Sequence, residues 1–182
     1  METIREKYTR LRPQIKQGDL ILFHGNSLLS KVIQESDQHA YFNHVGVVGE
    51  IAGALFIIDS NRDGVQPARL SDRVFSYTNG DFVVFKPNKT KKEITKALSK
   101  LLIKTDYIKP KYDFINGLKS LINRFFGVGL KTKPNPNRVI CSMFVLPYAL
   151  ELDMVYPLND MNNLFYPEDY MRDLKNVTVI GI

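Results

Sequence analysis

Between residues 20 and 85 the apolar content is broken into short β-branched and aromatic runs, each too short for a helix of normal length. The runs lie near 20–23, 44–49, 54–60, 64–68 and 81–85, and Gly53, Arg62-Asp63-Gly64 and Asn79-Gly80 between them have turn composition. Short runs joined by tight turns pair with their sequence neighbours, so residues 44–85 predict an antiparallel meander. Gly18-Asp19 turns the chain into the first run, and residues 70–77 are expected as a loop crossing between two strands.

Helical spacing appears once inside this stretch and again on either side of it. Asn26 or Ser27 caps a segment with Leu28, Leu29, Val32 and Ile33 on one face. Thr90-Lys91-Lys92-Glu93 has the pattern of a capping box, and Ile94, Ala97, Leu98, Leu101 and Leu102 continue one stripe to about Lys104. A second helix is expected from about Tyr112 to Phe126, stopping at Gly127, and Lys131 to Asn137 form a proline-containing loop. An apolar helix then starts at Cys141, with Pro147 expected to bend or end it. Residues 1–17 read as a polar arm or short helix, 167–175 as a short helix and 177–182 as a last strand. The fold class is therefore α+β, an antiparallel sheet or small barrel packed against helices, in a single domain over 1–182.

At 182 residues and 44% hydrophobic content the chain has material for one substantial core. One cysteine allows no internal disulfide, and a free thiol suits a reducing compartment. Met1 to Gln17 is charged and lacks the apolar stretch of a secretory signal, and no run approaches the roughly 18 apolar residues of a membrane span. The expectation is a cytoplasmic protein. The net charge of +6 comes with lysines concentrated in 86–111 and 119–133, expected to be the solvated faces of two helices. No helix-turn-helix, zinc-finger or aromatic RNA-binding pattern accompanies them, so no specific nucleic-acid partner is expected. One cysteine and three scattered histidines do not have metal-ligand spacing, and neither a metal nor a cofactor is expected.

The chemistry-bearing residues are few. Cys141 follows the extended approach Arg138-Val139-Ile140 and opens a helix, where free N–H groups and the helix dipole favour a thiolate. His44 stands at the start of the strand His44-Val45-Gly46-Val47-Val48, and Phe56-Ile57-Ile58-Asp59-Ser60 ends the next strand in a carboxylate that can hold an imidazole in one tautomer. Glu50 competes with Asp59 for that role, but it lies at the far end of the His44 strand, about 20 Å away. Taken singly, each residue also fits a structural role, since lone cysteines are commonly inert core packing.

The order of the segments carries more than any one of them. Gly18-Asp19-Leu20-Ile21-Leu22-Phe23, His44-Val45-Gly46-Val47-Val48, Phe56-Ile57-Ile58-Asp59-Ser60 with Gly64-Val65, Tyr112-Asp113 and Cys141-Ser142 follow one another over roughly residues 18–150. This succession resembles the circularly permuted, papain-like branch of the NlpC-type cysteine hydrolase superfamily. That branch includes YiiX-like proteins and, more distantly, lecithin retinol acyltransferase-like enzymes, and in it the histidine strand precedes the cysteine. The resemblance implies a permuted papain-like fold with Cys141 as nucleophile, His44 as base and Asp59 in a third position more usually held by glutamate or histidine. Aspartate is one methylene shorter than glutamate in its reach to the imidazole Nδ1. The resemblance also implies weaker substrate or oxyanion roles for Tyr112 and Ser142. The implied activity is hydrolysis of an amide by an amidase or peptidase through a thioacyl intermediate, on a small-molecule, peptide or lipid-amide substrate. The alternatives are acyl transfer or lipid thiol-ester chemistry, or a catalytically silent member that binds a ligand in the same cleft.

Overall fold

The computed structural model describes residues 2–25, 41–61, 63–108, 111–112, 138–155 and 167–182. The helix expected from Asn26 or Ser27, the body of the helix expected after Tyr112, the 131–137 loop and His39 lie outside the described residues. Helix α1 (Ile4–Leu11) is followed by β1 (Leu20–His24), β2 (His44–Ile51), β3 (Ala54–Asn61) and β4 (Gly64–Arg69). Next come α2 (Leu70–Ser76), β5 (Asp81–Pro87), α3 (Lys91–Ile108), β6 (Lys111–Tyr112) and β7 (Arg138–Val139). The chain closes with α4 (Cys141–Glu151), α5 (Pro167–Asp173) and β8 (Val177–Ile180).

Six strands form one open sheet in the order β4-β3-β2-β1-β5-β8, and every neighbouring pair is antiparallel. The class is α+β, with the open sheet and not the barrel. Strand alternation splits the apolar residues between two layers. Leu20, Leu22, Val45, Val47, Val83 and Phe85 face a core completed by Leu98 of α3, Phe144 and Val145 of α4, and Tyr170 of α5. Ile21, Phe23, Val48, Ile57, Phe82 and Val84 face the other way, against Leu11 of α1 and Leu70 and Val74 of α2. The expected polar N-terminal segment thus contributes Leu11 and Ile15 to a core, behind a capping box between Thr3 and Glu6.

Four expectations are corrected. The expected 44–85 meander holds for β2, β3 and β4 only, because β5 pairs with β1 and β8 instead of β4. Residues 70–77 are mainly the helix α2 rather than a loop. Tyr112 lies in the short strand β6, paired in parallel with β7 through Tyr112↔Val139, instead of opening a helix. Helix α4 runs past Pro147 to Glu151. Pro147 is on the exposed side of α4, where a carbonyl that loses its helical donor can turn to water. The rest of α4 is apolar nearly all round, as befits a buried helix. Two tyrosines anchor it: Tyr170 Oη donates to the Ser142 carbonyl at 2.8 Å and Tyr148 Oη to the Gly18 carbonyl at 2.7 Å.

Gly46 sets the spacing between β2 and β3 near His44. It pairs with Asp59, and a Cβ there would stand 2.7 Å from Ile57 Cγ1 and 3.1 Å from Asp59 Cβ. The missing side chain leaves the volume into which Asp59 and its partners pack.

Candidate active site

His44 is the first residue of β2, so its ring sits at the end of the sheet. Period-two alternation puts His44 and Gly46 on one face, and Asp59, opposite Gly46, shares that face one diagonal step away. His44 Nε2 lies 2.8 Å from Asp59 Oδ2. An ionised carboxylate only accepts, so Nε2 carries the proton and Nδ1 is the nitrogen left for the thiol. Asp59 thus reaches Nε2 and not the Nδ1 expected from the sequence.

Asp59 is completely buried, and a buried carboxylate needs compensation. Arg73 of α2 supplies it: Nη2 donates to Oδ1 at 3.0 Å and Nε stands 2.9 Å from Oδ2. A guanidinium keeps its charge at any working pH, so Asp59 keeps a cationic partner whether or not His44 is protonated, through the Nη2 hydrogen bond and the nearby Nε, which lies too far off line to donate.

The same helix ends at a second aromatic neighbour. The Tyr77 ring stacks on Phe23 at 4.8 Å and 10° and lies 6.3 Å from the His44 ring. Burial raises its phenol above the ordinary value, although the nearby His44 cation opposes this. At neutral pH Tyr77 is therefore a neutral hydroxyl able to donate. His44 itself is held well above 6.5: burial works against the charged ring and is outweighed by Tyr77, by the charge of Cys141, and by hydrogen bonds to Asp59 and Cys141.

Cys141 arrives from the other layer. Its helix begins after Ile140, whose backbone is extended and whose side chain makes no capping bond. The first N–H groups of such a helix have no intrahelical acceptor and point at whatever lies before the helix. Asp59 and Cys141 both act on the His44 ring, so residues of α4, β2 and β3 meet there. Cys141 is 5% exposed. Ser142 is fully buried, with an Oγ that has no hydrogen-bond partner among the described residues. Tyr112 is placed only by its backbone, two residues before Cys141 in strand register terms through Val139. Glu50 pairs with Leu55 at the opposite end of β2, about 20 Å from His44, and does not join this group. His24 stacks on Tyr41 at 4.1 Å instead.

Arg73 and Tyr77 were not singled out from the sequence. The available signal was the Leu70 and Val74 pair at helical spacing, which puts Arg73 and Tyr77 on a turn next to a buried stripe.

With this geometry in place the chain can be compared with known proteins. No protein-family model matches the sequence, and no curated protein matches it. Among solved structures, the metalloprotein YiiX from Escherichia coli O157:H7 superposes with a TM-score of 0.60, over 92% of this chain and 97% of that one. The fold is that of YiiX. Sequence identity is 15%, so the likeness extends to architecture alone. YiiX is described as a metalloprotein, but among the described residues here no three His, Cys, Asp or Glu side chains gather to hold a metal ion. His44 Nε2 is committed to Asp59. Among the described residues no helix is long and apolar enough to cross a membrane.

Proposed function

We propose that this chain is a cysteine hydrolase of amide bonds, an amidase or peptidase, with Cys141 as nucleophile, His44 as base and Asp59 as the residue that orients His44. The observation that carries this reading is the 2.8 Å contact between His44 Nε2 and a fully buried Asp59, with Cys141 near enough to His44 to help raise its pKa. In the reaction, the Cys141 proton rests on His44 Nδ1 as an imidazolium–thiolate pair, and the sulfur attacks the carbonyl carbon. The open N–H groups at the start of α4 stabilise the oxyanion, His44 returns the proton to the departing amine, and water then cleaves the thioester. Tyr112 and Ser142 are assigned at most backbone or positioning roles in substrate binding. Substrates are proposed among small amides, peptides and lipid amides. A lone free thiol fits the reducing cytoplasm as the working compartment.

The burial of Cys141 favours one second reading, a catalytically silent member of the fold that binds a ligand, because structural cysteines are buried and inert. Incubation with amide, peptide and phospholipid acyl donors, followed by intact mass, separates the two. A thioacyl adduct at Cys141 that water discharges faster than amines or alcohols supports the hydrolase. Transfer to an acceptor with slow hydrolysis assigns the acyltransferase chemistry of the more distant relatives. No adduct from any donor class supports the silent binder.

A further inference from the structure

At the end of β2 opposite His44 the fold builds a cavity of about 490 Å³, and its wall is basic. Lys16, Lys86, Lys89 and Lys91 line it, together with two carboxylates, Asp19 and Glu50. These lysines do not belong to one amphipathic helix. Lys16 follows α1, Lys86 is on β5, Lys89 is in the turn after it and Lys91 is the first residue of α3, so the fold gathers them. Lys91, Lys92, Lys96 and Lys100 are exposed, as a solvated helix face requires, while Lys86 and Lys89 are half-buried.

The floor of the cavity is fixed. Lys86 Nζ donates to Asp19 Oδ2 at 2.8 Å and to the Gln14 carbonyl at 2.6 Å, and the Lys16 backbone N–H donates to the same Asp19 oxygen at 2.8 Å. Gly18 and Asp19 are tied to β2 by Gly18 N–H to the Val48 carbonyl and Val48 N–H to the Asp19 carbonyl. Asp19 is therefore committed to Lys86. Lys16, Lys89 and Lys91 form no ion pair among the described residues, although Asp19 feels the charge of Lys16, and Glu93 and Asp153 that of Lys89. Gathering cations in this way is unfavourable unless a counter-charge arrives. Ile94 and Pro87 give the cavity an apolar side, and Thr95 adds a hydroxyl.

We propose that this cavity is a binding site for a small ligand carrying a phosphomonoester or diphosphate group, held by Lys16, Lys89 and Lys91 over the floor fixed by Lys86 and Asp19. The excess of charge on the wall matches a group with two or more negative charges, and the volume suits a small phosphorylated molecule. The site is separate from Cys141 and does not depend on the hydrolase reading.

The test is calorimetric titration of the full chain with inorganic pyrophosphate and with glycerol phosphate at physiological salt, beside flotation with vesicles of phosphatidylcholine containing phosphatidate. Lys89→Gln with Lys91→Gln should weaken binding by about tenfold or more, the size expected for losing charge-assisted contacts. Lys92→Gln with Lys96→Gln, on the same helix outside the cavity, should change it by less than about twofold. Cys141→Ala should bind as the unaltered chain does. Lysine-dependent binding to vesicles alone supports the site and assigns its phosphate to a lipid headgroup; lysine-dependent binding of the soluble ligands assigns a free one. Equal losses in both lysine pairs, tighter binding of duplex oligonucleotide than of pyrophosphate, or no binding of any probe at millimolar concentration would overturn the proposal.

Discussion

The two ends of β2 treat charge in opposite ways. At the His44 end, a fully buried carboxylate meets a guanidinium and an imidazole within 3.0 Å, so each charge is compensated inside the protein. At the Glu50 end, lysines from four segments surround an open volume with too few carboxylates to balance them. The first arrangement is complete before any ligand arrives, as a reactive centre needs to be if its groups are not to reorganise during the reaction. The second is completed by something from outside. One strand thus joins a preorganised centre to a surface that lacks its counter-ion.

The comparison breaks most visibly at Asp59. Asp59→Asn keeps the shape but removes the charge that holds the Nε2 proton, and turnover on a responsive amide should fall by about 10⁴-fold. Retention of near-normal turnover would remove Asp59 from the chemistry. Next in size is Arg73→Ala, which strands a buried carboxylate and should cost about 3 kcal/mol or more in chemical denaturation. Arg73→Lys should recover only part of that, because a single ammonium cannot occupy both carboxylate oxygens. A loss under about 0.5 kcal/mol in Arg73→Ala would show that Asp59 is not held as described.

The His44 end should also show itself through pH. The folded ring is held well above 6.5, so the folded state binds this proton more tightly than the unfolded chain does. The stability it contributes is full below that ordinary value and is lost as pH rises through the raised one. Denaturation midpoints measured from about pH 6 to about pH 9 should decline more steeply in the unaltered protein than in His44→Gln. Parallel slopes would contradict the assignment. The smallest effect is expected at Glu50→Gln, within about 0.5 kcal/mol in stability and near silent in turnover, since this residue lies at the other end of the strand. A large loss of turnover there would reopen the choice between Asp59 and Glu50.

The strands were legible because glycine-containing turns and alternating burial are local signals, and all five runs between 20 and 85 form strands, but their order was legible only for β2-β3-β4, since β5 pairs with β1 and β8. The α3 helix announced itself by its capping box, seen as Thr90 Oγ1 and the Thr90 N–H both bound to Glu93. Helix α2 did not. It has seven residues, no side-chain cap and only Leu70 and Val74 buried, which leaves almost no periodicity to read. Its loss hid Arg73 and Tyr77, the groups that secure Asp59 and flank His44. Tyr112 was misread because β6 exists only through pairing with β7, more than twenty residues along the chain. Convergence of Lys16 with Lys86, Lys89 and Lys91 was hidden for the same reason, since no local pattern links residues some seventy positions apart.

The central claim is that His44 and Cys141 act as one chemical unit. Cys141 is the sole cysteine, so iodoacetamide alkylation followed by intact mass reports on it alone. The measurement is the alkylation rate at about pH 6, where an ordinary thiol of pKa about 8.5 is almost wholly protonated. The account predicts that the unaltered protein reacts faster than free cysteine at that pH and that His44→Ala loses the advantage while staying folded. Rates that follow free cysteine in both proteins, or that do not change when His44 is replaced, would contradict it.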